Sequence, residues 1–203
     1  MIDERVYEMF QEIGRDMYVH SLVSSHGGNI SVRFGDRIII KRRGAMLGRL
    51  KPHDLIETGL ERNDSGVALA STELIVHRAI YKATPALAVV HAHPRHAIPL
   101  SLSRDEIMPI DNEGSYLLKK VPVVSVEFAS GTKQMAEAVA DALKSYKIVM
   151  LRGHGSFATG QTLDEAFQWT DAFDEACEII MYAHIMNEEM IEYRRMSDSY
   201  KSW

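Results

Sequence analysis

Three histidines of the sequence have the spacing of metal ligands. His91 and His93 flank a single alanine at the end of Leu87–His93, an apolar run that predicts a strand. Side chains two residues apart leave a strand on the same face, so both imidazoles can reach one point. His154 lies between two glycines just after a second apolar run, Ile148–Leu151. Three imidazoles with an open fourth position are typical of catalytic zinc, although a pair of core or surface histidines at a strand end remains the alternative reading of the first motif.

The chain also offers backbone N–H groups that suit an anion. The run Ser71-Thr72-Glu73 begins a predicted helix, and the first N–H groups of a helix have no partner within it. Gly28-Asn29 and Gly44 lie in glycine-containing loops with further exposed donors, and Arg43 adds a cation beside them. The two hydroxyls of the first run either cap the helix or hold a phosphate, and the pattern leaves both open.

Length and composition describe the domain that must position these residues. The 203 residues are 46% hydrophobic and 25% charged, with a net charge of −5, which is ordinary for a globular chain. The single cysteine fits a reducing compartment, and no apolar run approaches the ~18 residues of a membrane span. No basic block favours nucleic-acid binding. We therefore expect one cytoplasmic domain over residues 1–203, without nucleic-acid or membrane partners.

Predicted strands cluster between predicted helices, which indicates an α/β fold. An amphipathic helix opens the chain around Val6–Met17, and a two-residue turn joins the strands Ile30–Phe34 and Ile38–Ile40. Thr162-x-x-Glu165 matches a capping box before a long helix. Residues 190–203 have no clear period and form either an arm that orders against a partner or substrate, or a frayed terminus. Further predicted elements are the strands Leu55–Leu60 and Val121–Phe128 and the helices from Ser71 or Thr72 to before Pro85 and Met135–Leu143.

The motifs follow one another in a characteristic order: Gly28-Asn29, Gly44, Ser71-Thr72-Glu73, His91-x-His93-Pro94 and His154-Gly155. In that order they resemble the class II aldolase/adducin family, most closely its L-fuculose-1-phosphate aldolase branch, over nearly the whole chain. The resemblance implies a three-layer α/β/α domain around a mainly antiparallel sheet. It also implies a homotetramer whose active sites lie between subunits.

The same resemblance implies a role for each motif. His91, His93 and His154 would bind Zn²⁺ or another divalent transition metal, and Glu73 would complete the metal shell at rest and act as acid and base once substrate displaces it. The reaction would cleave a ketose 1-phosphate to dihydroxyacetone phosphate and an aldehyde. The family's phosphate-binding positions are matched by Gly28, Asn29, Gly44, Ser71 and Thr72.

Departures from the family pattern leave the sugar open. Arg43 stands where the family usually has Thr, so Arg43 is a candidate for phosphate binding that the family pattern does not itself supply. The fuculose enzymes carry a tyrosine downstream of the His-x-His motif that acts in a neighbouring subunit, and Tyr116, Tyr193 and Tyr200 are loose candidates for it. A 5-deoxy- or 5-methylthio-pentulose 1-phosphate is therefore as plausible a substrate as L-fuculose 1-phosphate.

Four other interpretations of the same scaffold are compared through their residues. The 4-epimerases that resemble it carry Asp at the position of Glu73, and a methylthioribulose-phosphate dehydratase places its glutamate elsewhere. A decarboxylase of 3-oxo-tetronate 4-phosphates keeps the same glutamate and stays an alternative. An adducin-like interaction module would have lost its metal ligands, whereas all three histidines are present here.

Overall fold

The computed structural model describes residues 2–188 and 191–195. The helices are α1 (Glu4–Val19), α2 (Leu74–Ala83), α3 (Ala97–Ser101), α4 (Asn112–Leu118), α5 (Lys133–Ala142) and α6 (Leu163–Met186). The strands are β1 (Asn29–Phe34), β2 (Arg37–Lys41), β3 (Leu55–Gly59), β4 (Ala88–Ala92), β5 (Glu106–Ile107), β6 (Val121–Val124), β7 (Ile148–Leu151) and β8 (Gly155–Gly160).

The strands form one eight-stranded sheet in the order β3-β2-β1-β4-β8-β7-β6-β5. Neighbouring strands are antiparallel except for the parallel pair of β6 and β7. The α/β fold with a mainly antiparallel sheet, which the resemblance implied, is confirmed.

Both faces of the sheet are covered by helices, which gives three layers. Alternate strand residues enter different cores: Val90 packs on the side of α1 and α6, whereas its neighbour Val89 packs on the side of α2 and α5. The four residues of β7 alternate in the same way and all are buried. A strand covered on both faces reads as a continuous apolar run, which is why β4 and β7 stand out in the sequence.

Several local signals act as expected. The opening helix, the hairpin of β1 and β2, and the strands β3, β4 and β7 lie where the sequence predicts them. The Thr162 hydroxyl accepts the N–H of Glu165, and the Glu165 carboxylate accepts the N–H of Gln161. The capping box therefore forms, but the glutamate binds the N–H of the residue before the N-cap and not that of Thr162 itself. The region 121–128 is a strand only as far as Val124, because its partner β7 ends at Leu151, which pairs with Val124.

Several elements have no signal in the sequence, and β8 and α4 are two of them. The strand β8 contains glycine at both ends and Phe157 as its single large apolar residue, yet it lies between β4 and β7 and pairs with both. Strand preference depends on such neighbours more than on the residues themselves. The helix α4 contains Gly114, which lowers helix propensity but packs so closely on α6 that a Cβ would lie 2.8 Å from the Cβ of Ala176.

The start of α2 differs from the prediction. Neither Ser71 nor Thr72 is the N-cap; Glu73 occupies that position without a side-chain capping bond. The Ser71 hydroxyl instead accepts the N–H of Glu73 at 3.3 Å. The predicted N-cap position at Ser71 or Thr72 is therefore wrong, although the Ser71 hydroxyl still binds one N–H where the helix begins. No helix in the described part of the chain is long and apolar enough to cross a membrane.

Candidate metal and anion site

The centre of the sheet brings the candidate residues together. Asn29 of β1 pairs with His91 of β4, and on the other side of β4 Ala92 pairs with Ser156 of β8. His93 follows the end of β4, and His154 lies in the tight turn between β7 and β8. Three neighbouring strand ends thus point their histidines and Asn29 toward the start of α2, where Glu73 lies.

The three predicted metal ligands converge. The ligand nitrogens of His91, His93 and His154 all lie within 4.8 Å of one another. The Nε2 atoms of His91 and His93 are 3.1 Å apart. Two ligands of a tetrahedral zinc at ~2.0–2.1 Å would be separated by roughly 3.3 Å, so this spacing fits one metal ion.

The protonation states of His91 and His93 also fit a metal. His91 donates its Nδ1–H to the carbonyl of Ser156 at 2.9 Å, which leaves the lone pair of Nε2 facing the centre of the cluster. Burial and the neighbouring imidazoles hold the pKa of His91 well below its usual value, and burial lowers the pKa of His93 to about 4. Neutral imidazoles are the form that binds metal. The residues present therefore suit a divalent transition metal.

The carboxylate of Glu73 lies against this cluster. Its Oε2 is 3.0 Å from Nε2 of His91, and its Oε1 is 3.7 Å from Nε2 of His154. The side chain of Glu73 is buried, and Asn29 donates its Nδ2–H to Oε2 at 2.8 Å. A buried carboxylate is costly unless it is paired in this way.

A buried chain of hydrogen bonds stands behind Asn29. Its Oδ1 accepts a hydrogen bond from Nε2 of His77, and Nδ1 of His77 lies 2.6 Å from the Ser31 hydroxyl. The Tyr81 hydroxyl completes the chain on Ser31, 2.7 Å from its Oγ and 2.9 Å from its carbonyl oxygen. Burial lowers the pKa of His77 to about 3, so its ring is neutral. The sequence gives no sign of this chain beyond a histidine one helical turn after Glu73.

The predicted anion-binding residues border the same space. A cavity of about 220 Å³ adjoins the histidines. Gly28 and Gly44 have φ of +68° and +73°, the left-handed conformation in which glycine turns its N–H out of a regular element. The walls of this cavity include the predicted residues Gly28, Asn29, Arg43, Gly44, Ser71, Thr72, Glu73, His91, His93 and His154, and also His26, Lys41 and Ser130.

Two further cavity residues carry potential chemistry but have no role assigned from the sequence. His26 was recognisable from its glycine-rich loop, and it lies exposed at the cavity. Lys41 follows three isoleucines at the end of β2, where a lysine reads as an ordinary charged strand end. Only the fold shows that it is buried and faces this space.

Neither of the two candidate tyrosines in the described residues, Tyr116 and Tyr193, lines the cavity. Tyr116 is 63% exposed and borders a different hollow with Lys119 and Tyr146. Tyr193 lies in a short 3₁₀ helix and donates its backbone N–H to the carbonyl of Ile110. Tyr200 lies outside the described residues, as does most of the predicted arm over residues 190–203. A contribution of a phenol from a neighbouring subunit stays a prediction.

Comparison with known proteins agrees with this geometry. The family profile described as Class II Aldolase and Adducin N-terminal domain matches residues 8–181. The chain therefore belongs to the class II aldolase/adducin family.

Particular members of the family resemble the chain over most of its length. The crystal structure of the L-fuculose-1-phosphate aldolase from Thermus thermophilus superposes with a TM-score of 0.87 at 36% identity, over 93% of this chain and 100% of that one. The L-fuculose phosphate aldolase of Methanocaldococcus jannaschii is 29% identical over 86% of this chain and 94% of its own length. The 3-oxo-tetronate 4-phosphate decarboxylase of Haemophilus influenzae is also 29% identical, over 88% of each chain.

Proposed function

We propose that the protein is a zinc-dependent aldolase that cleaves a ketose 1-phosphate to dihydroxyacetone phosphate and an aldehyde. One observation carries the proposal: a buried carboxylate, Glu73, lies between a three-histidine cluster and a cavity lined with anion donors. The substrates favoured by the sequence are L-fuculose 1-phosphate and a 5-deoxy- or 5-methylthio-pentulose 1-phosphate. Enzymes with the first of these substrates in their names are among the similar proteins.

His91, His93 and His154 would hold the metal. A divalent metal at this place supplies a Lewis acid that stabilises negative charge as it develops on substrate oxygens. This makes a Schiff-base lysine unnecessary. Zinc suits three imidazole ligands with an open fourth position, and other divalent transition metals bind the same donors.

Glu73 is the group in position to move a proton. Cleavage between C3 and C4 leaves an enediolate of dihydroxyacetone phosphate, and the carboxyl group of Glu73 would protonate its carbanionic carbon. In the synthetic direction the carboxylate removes that proton. The hydrogen bond from Asn29 fixes the orientation of the carboxyl group during both steps.

The donors of the cavity wall would hold the phosphate away from the reacting bond. Gly28, Gly44, Ser71 and Thr72 surround a space in which a tetrahedral anion can accept several hydrogen bonds. Binding energy from this remote group orients the bond that breaks. Further parts of the proposal are a cytoplasmic homotetramer and a tyrosine of a neighbouring subunit, from Tyr116, Tyr193 or Tyr200, at the aldehyde oxygen.

The deciding experiment is a panel of ketose 1-phosphates incubated with the metal-loaded protein, with release of dihydroxyacetone phosphate as the measurement. The Glu73→Gln variant is the control for contaminating aldolase. Release from none of the panel would contradict the proposal.

A decarboxylase of 3-oxo-tetronate 4-phosphates is the second candidate, because a relative of that name is 29% identical to this chain, as is the L-fuculose phosphate aldolase of Methanocaldococcus jannaschii. Loss of CO₂ from such an acid, without release of dihydroxyacetone phosphate from any ketose, would establish it. A non-catalytic adducin-like module predicts that purified protein holds no stoichiometric metal. Elemental analysis separates that case, since the three histidines would bind about one ion per chain.

A further inference from the structure

The ring of His154 lacks the support that the ring of His91 has. Nδ1 of His91 donates to the Ser156 carbonyl, whereas Nδ1 of His154 is buried and has no hydrogen-bond partner among the described residues. A histidine that binds a metal ordinarily donates its second ring N–H to an oxygen, and that bond fixes the direction of the ring. The position of His154 is therefore set by the backbone that carries it.

The pairing of strands does not by itself hold this backbone in place. The ladder between β4 and β8 ends with the pair Ala92 and Ser156, two residues before His154 is reached. The N–H of His154 donates to the carbonyl of Leu151 at 3.0 Å, which closes the turn but does not fix it relative to β4. Contacts from outside the turn must supply that constraint.

The Ser101 hydroxyl supplies one such contact. It accepts the N–H of Gly153, the residue before His154, at 3.0 Å and donates to the carbonyl of Ile98 at 2.7 Å. Ser101 is fully buried at the end of α3, the short helix that follows His93. This hydrogen bond therefore connects the turn of His154 to the segment that continues from another histidine of the cluster.

The guanidinium group of Arg152 supplies the other contacts. Nη1 donates to the Ser101 carbonyl at 2.5 Å, and Nε donates to the Ser125 hydroxyl at 2.6 Å. Nη2 pairs with Asp105, but that carboxylate is 97% exposed, so solvent screens the ion pair. The two bonds to Ser101 and Ser125 hold the turn between α3 and the end of β6.

The helix α3 is itself anchored at its other end. Asp174 of α6 is buried, and its carboxylate accepts the backbone N–H of His96 at 2.9 Å and lies 3.0 Å from Nδ1 of the same residue. His96 is the N-cap of α3. The helix is thus fixed to α6 where it begins and to the turn of His154 where it ends.

We propose that Arg152 is a positioning residue of the metal centre, because its guanidinium group holds the turn of His154 at the distance from His91 and His93 that one metal ion needs. The proposal rests on the metal site of the function proposed above and adds a residue that does not line the cavity. The planar fork of an arginine suits the role, since it donates in several fixed directions at once. Its positive charge by itself opposes a metal cation, so the two effects have opposite signs.

The test is competition between the full-length protein and a chromophoric chelator for Zn²⁺. We expect Arg152→Met to weaken Zn²⁺ binding by roughly 10- to 100-fold, the usual effect of losing a group that orients a metal ligand. Arg78→Met is the matched control, because Arg78 likewise donates to backbone carbonyls, those of Gly59 and Arg62, and lies outside the cavity. The control should leave Zn²⁺ affinity within about twofold, because separate sites act independently.

A second variant, Ser101→Ala, removes the acceptor of the Gly153 N–H without a change of charge and should also weaken Zn²⁺ binding. Urea titrations establish that each variant is folded. Unchanged or stronger Zn²⁺ affinity in folded Arg152→Met would overturn the proposal, as would an equal loss of affinity in Arg78→Met. A wild-type protein that binds no Zn²⁺ would overturn it as well.

Co²⁺ in place of Zn²⁺ gives a readout of geometry, because its visible absorption depends on the arrangement of its ligands. We expect the Co²⁺ spectrum to change in Arg152→Met and not in Arg78→Met; identical spectra in Arg152→Met and the wild type would contradict the assignment. If Zn²⁺ affinity depends on Arg152 but no ketose releases dihydroxyacetone phosphate, the aldolase function fails and the role of Arg152 stands. If dihydroxyacetone phosphate is released and Zn²⁺ affinity does not depend on Arg152, the function stands and this assignment fails.

Discussion

The hydrogen-bond chain behind Glu73 predicts that His77, which does not contact Glu73 through its ring, controls the rate of the reaction. The amide of Asn29 donates to Glu73, so its oxygen must accept from His77. If the Asn29 amide were flipped, its Oδ1 would lie against the carboxylate of Glu73, and the two acceptors would repel each other. His77 therefore carries its proton on Nε2 and accepts at Nδ1 from the Ser31 hydroxyl. Every donor of the chain thus points toward Glu73, and removal of one member releases the amide of Asn29.

The variants His77→Leu and His77→Gln separate this role from simple packing. Leucine leaves the buried Oδ1 of Asn29 without a donor, which costs about 1–3 kcal/mol. The bond between Asn29 and the charged Glu73 is worth about 1.5–3 kcal/mol, and its loss would lower kcat by about 10- to 150-fold if it is lost from the transition state. Glutamine can donate from its amide nitrogen and accept at its oxygen, so it should restore most of kcat.

The assay is the steady-state release of dihydroxyacetone phosphate, with metal content and unfolding free energy measured on the same samples. We expect His77→Leu to lower kcat far more than it changes KM for the sugar phosphate, and His77→Gln to lie near the wild type. If both variants lose kcat equally at equal metal content, the direction of the hydrogen bonds has no effect and the reasoning is refuted. Full kcat in His77→Leu would refute it as well.

His77 also makes a distinct contribution to acid stability. Its pKa is about 3 in the folded protein, below the usual value of 6.5 in the unfolded chain. The unfolded state therefore binds a proton that the folded state does not, and stability falls as pH drops from 6.5 toward 3. At pH 5 this amounts to about 2 kcal/mol. His77→Gln, which cannot be protonated, should reduce the acid sensitivity by that amount in urea titrations at pH 7 and pH 5.

Three further predictions concern the walls of the site. Glu73→Gln should retain metal and lose nearly all turnover; full activity would remove Glu73 from the proton-transfer role. Without phosphate, Lys41→Met should raise the unfolding free energy at pH 7 by as much as roughly 3 kcal/mol, because the pKa of Lys41 in the folded protein, about 8, lies below the usual value of 10.5. This gain in stability should shrink as the pH rises from 8 to 10.5. A gain that does not depend on pH would contradict this cause. Gly28→Ala should destabilise more than Gly35→Ala in denaturant titrations, because both have φ near +60° but only the first would place a Cβ 2.5 Å from Val23 Cγ1.

The parts of the fold that the sequence predicts are those with a strong local signal. The strands β4 and β7 are continuous apolar runs, and α6 begins at a capping box. The strand β8 has no clear signal in the sequence because its glycine-flanked residues gain their strand conformation from pairing with two neighbours. The residues of the candidate site likewise differ in whether they have a local sequence signal. His91 and His93 are recognisable by their two-residue spacing, whereas Lys41 and His77 depend on which side of β2 and α2 faces the sheet centre.

The position of His77 could not be predicted for a physical reason. Its partners Asn29 and Ser31 are 48 and 46 residues away in the sequence, and the register of β1 against β4 decides where they lie. A shift of one residue in that register would turn Asn29 and Ser31 to the opposite face of the sheet. Residues that meet across separate elements in this way leave no pattern along the chain.

The site contains two buried charged groups of opposite sign that are kept apart. Glu73 and Lys41 border one cavity but form no ion pair; each is held by a neutral partner, Asn29 for the carboxylate and the His26 carbonyl for the ammonium. A direct ion pair would neutralise both groups and consume the donors and acceptors that the proposed reaction needs. Their separation instead leaves the carboxylate beside the histidines and the cation beside the hydroxyls of the cavity wall. In a chain whose net charge is −5, an anionic substrate would be captured by this local arrangement and not by the field of the whole protein.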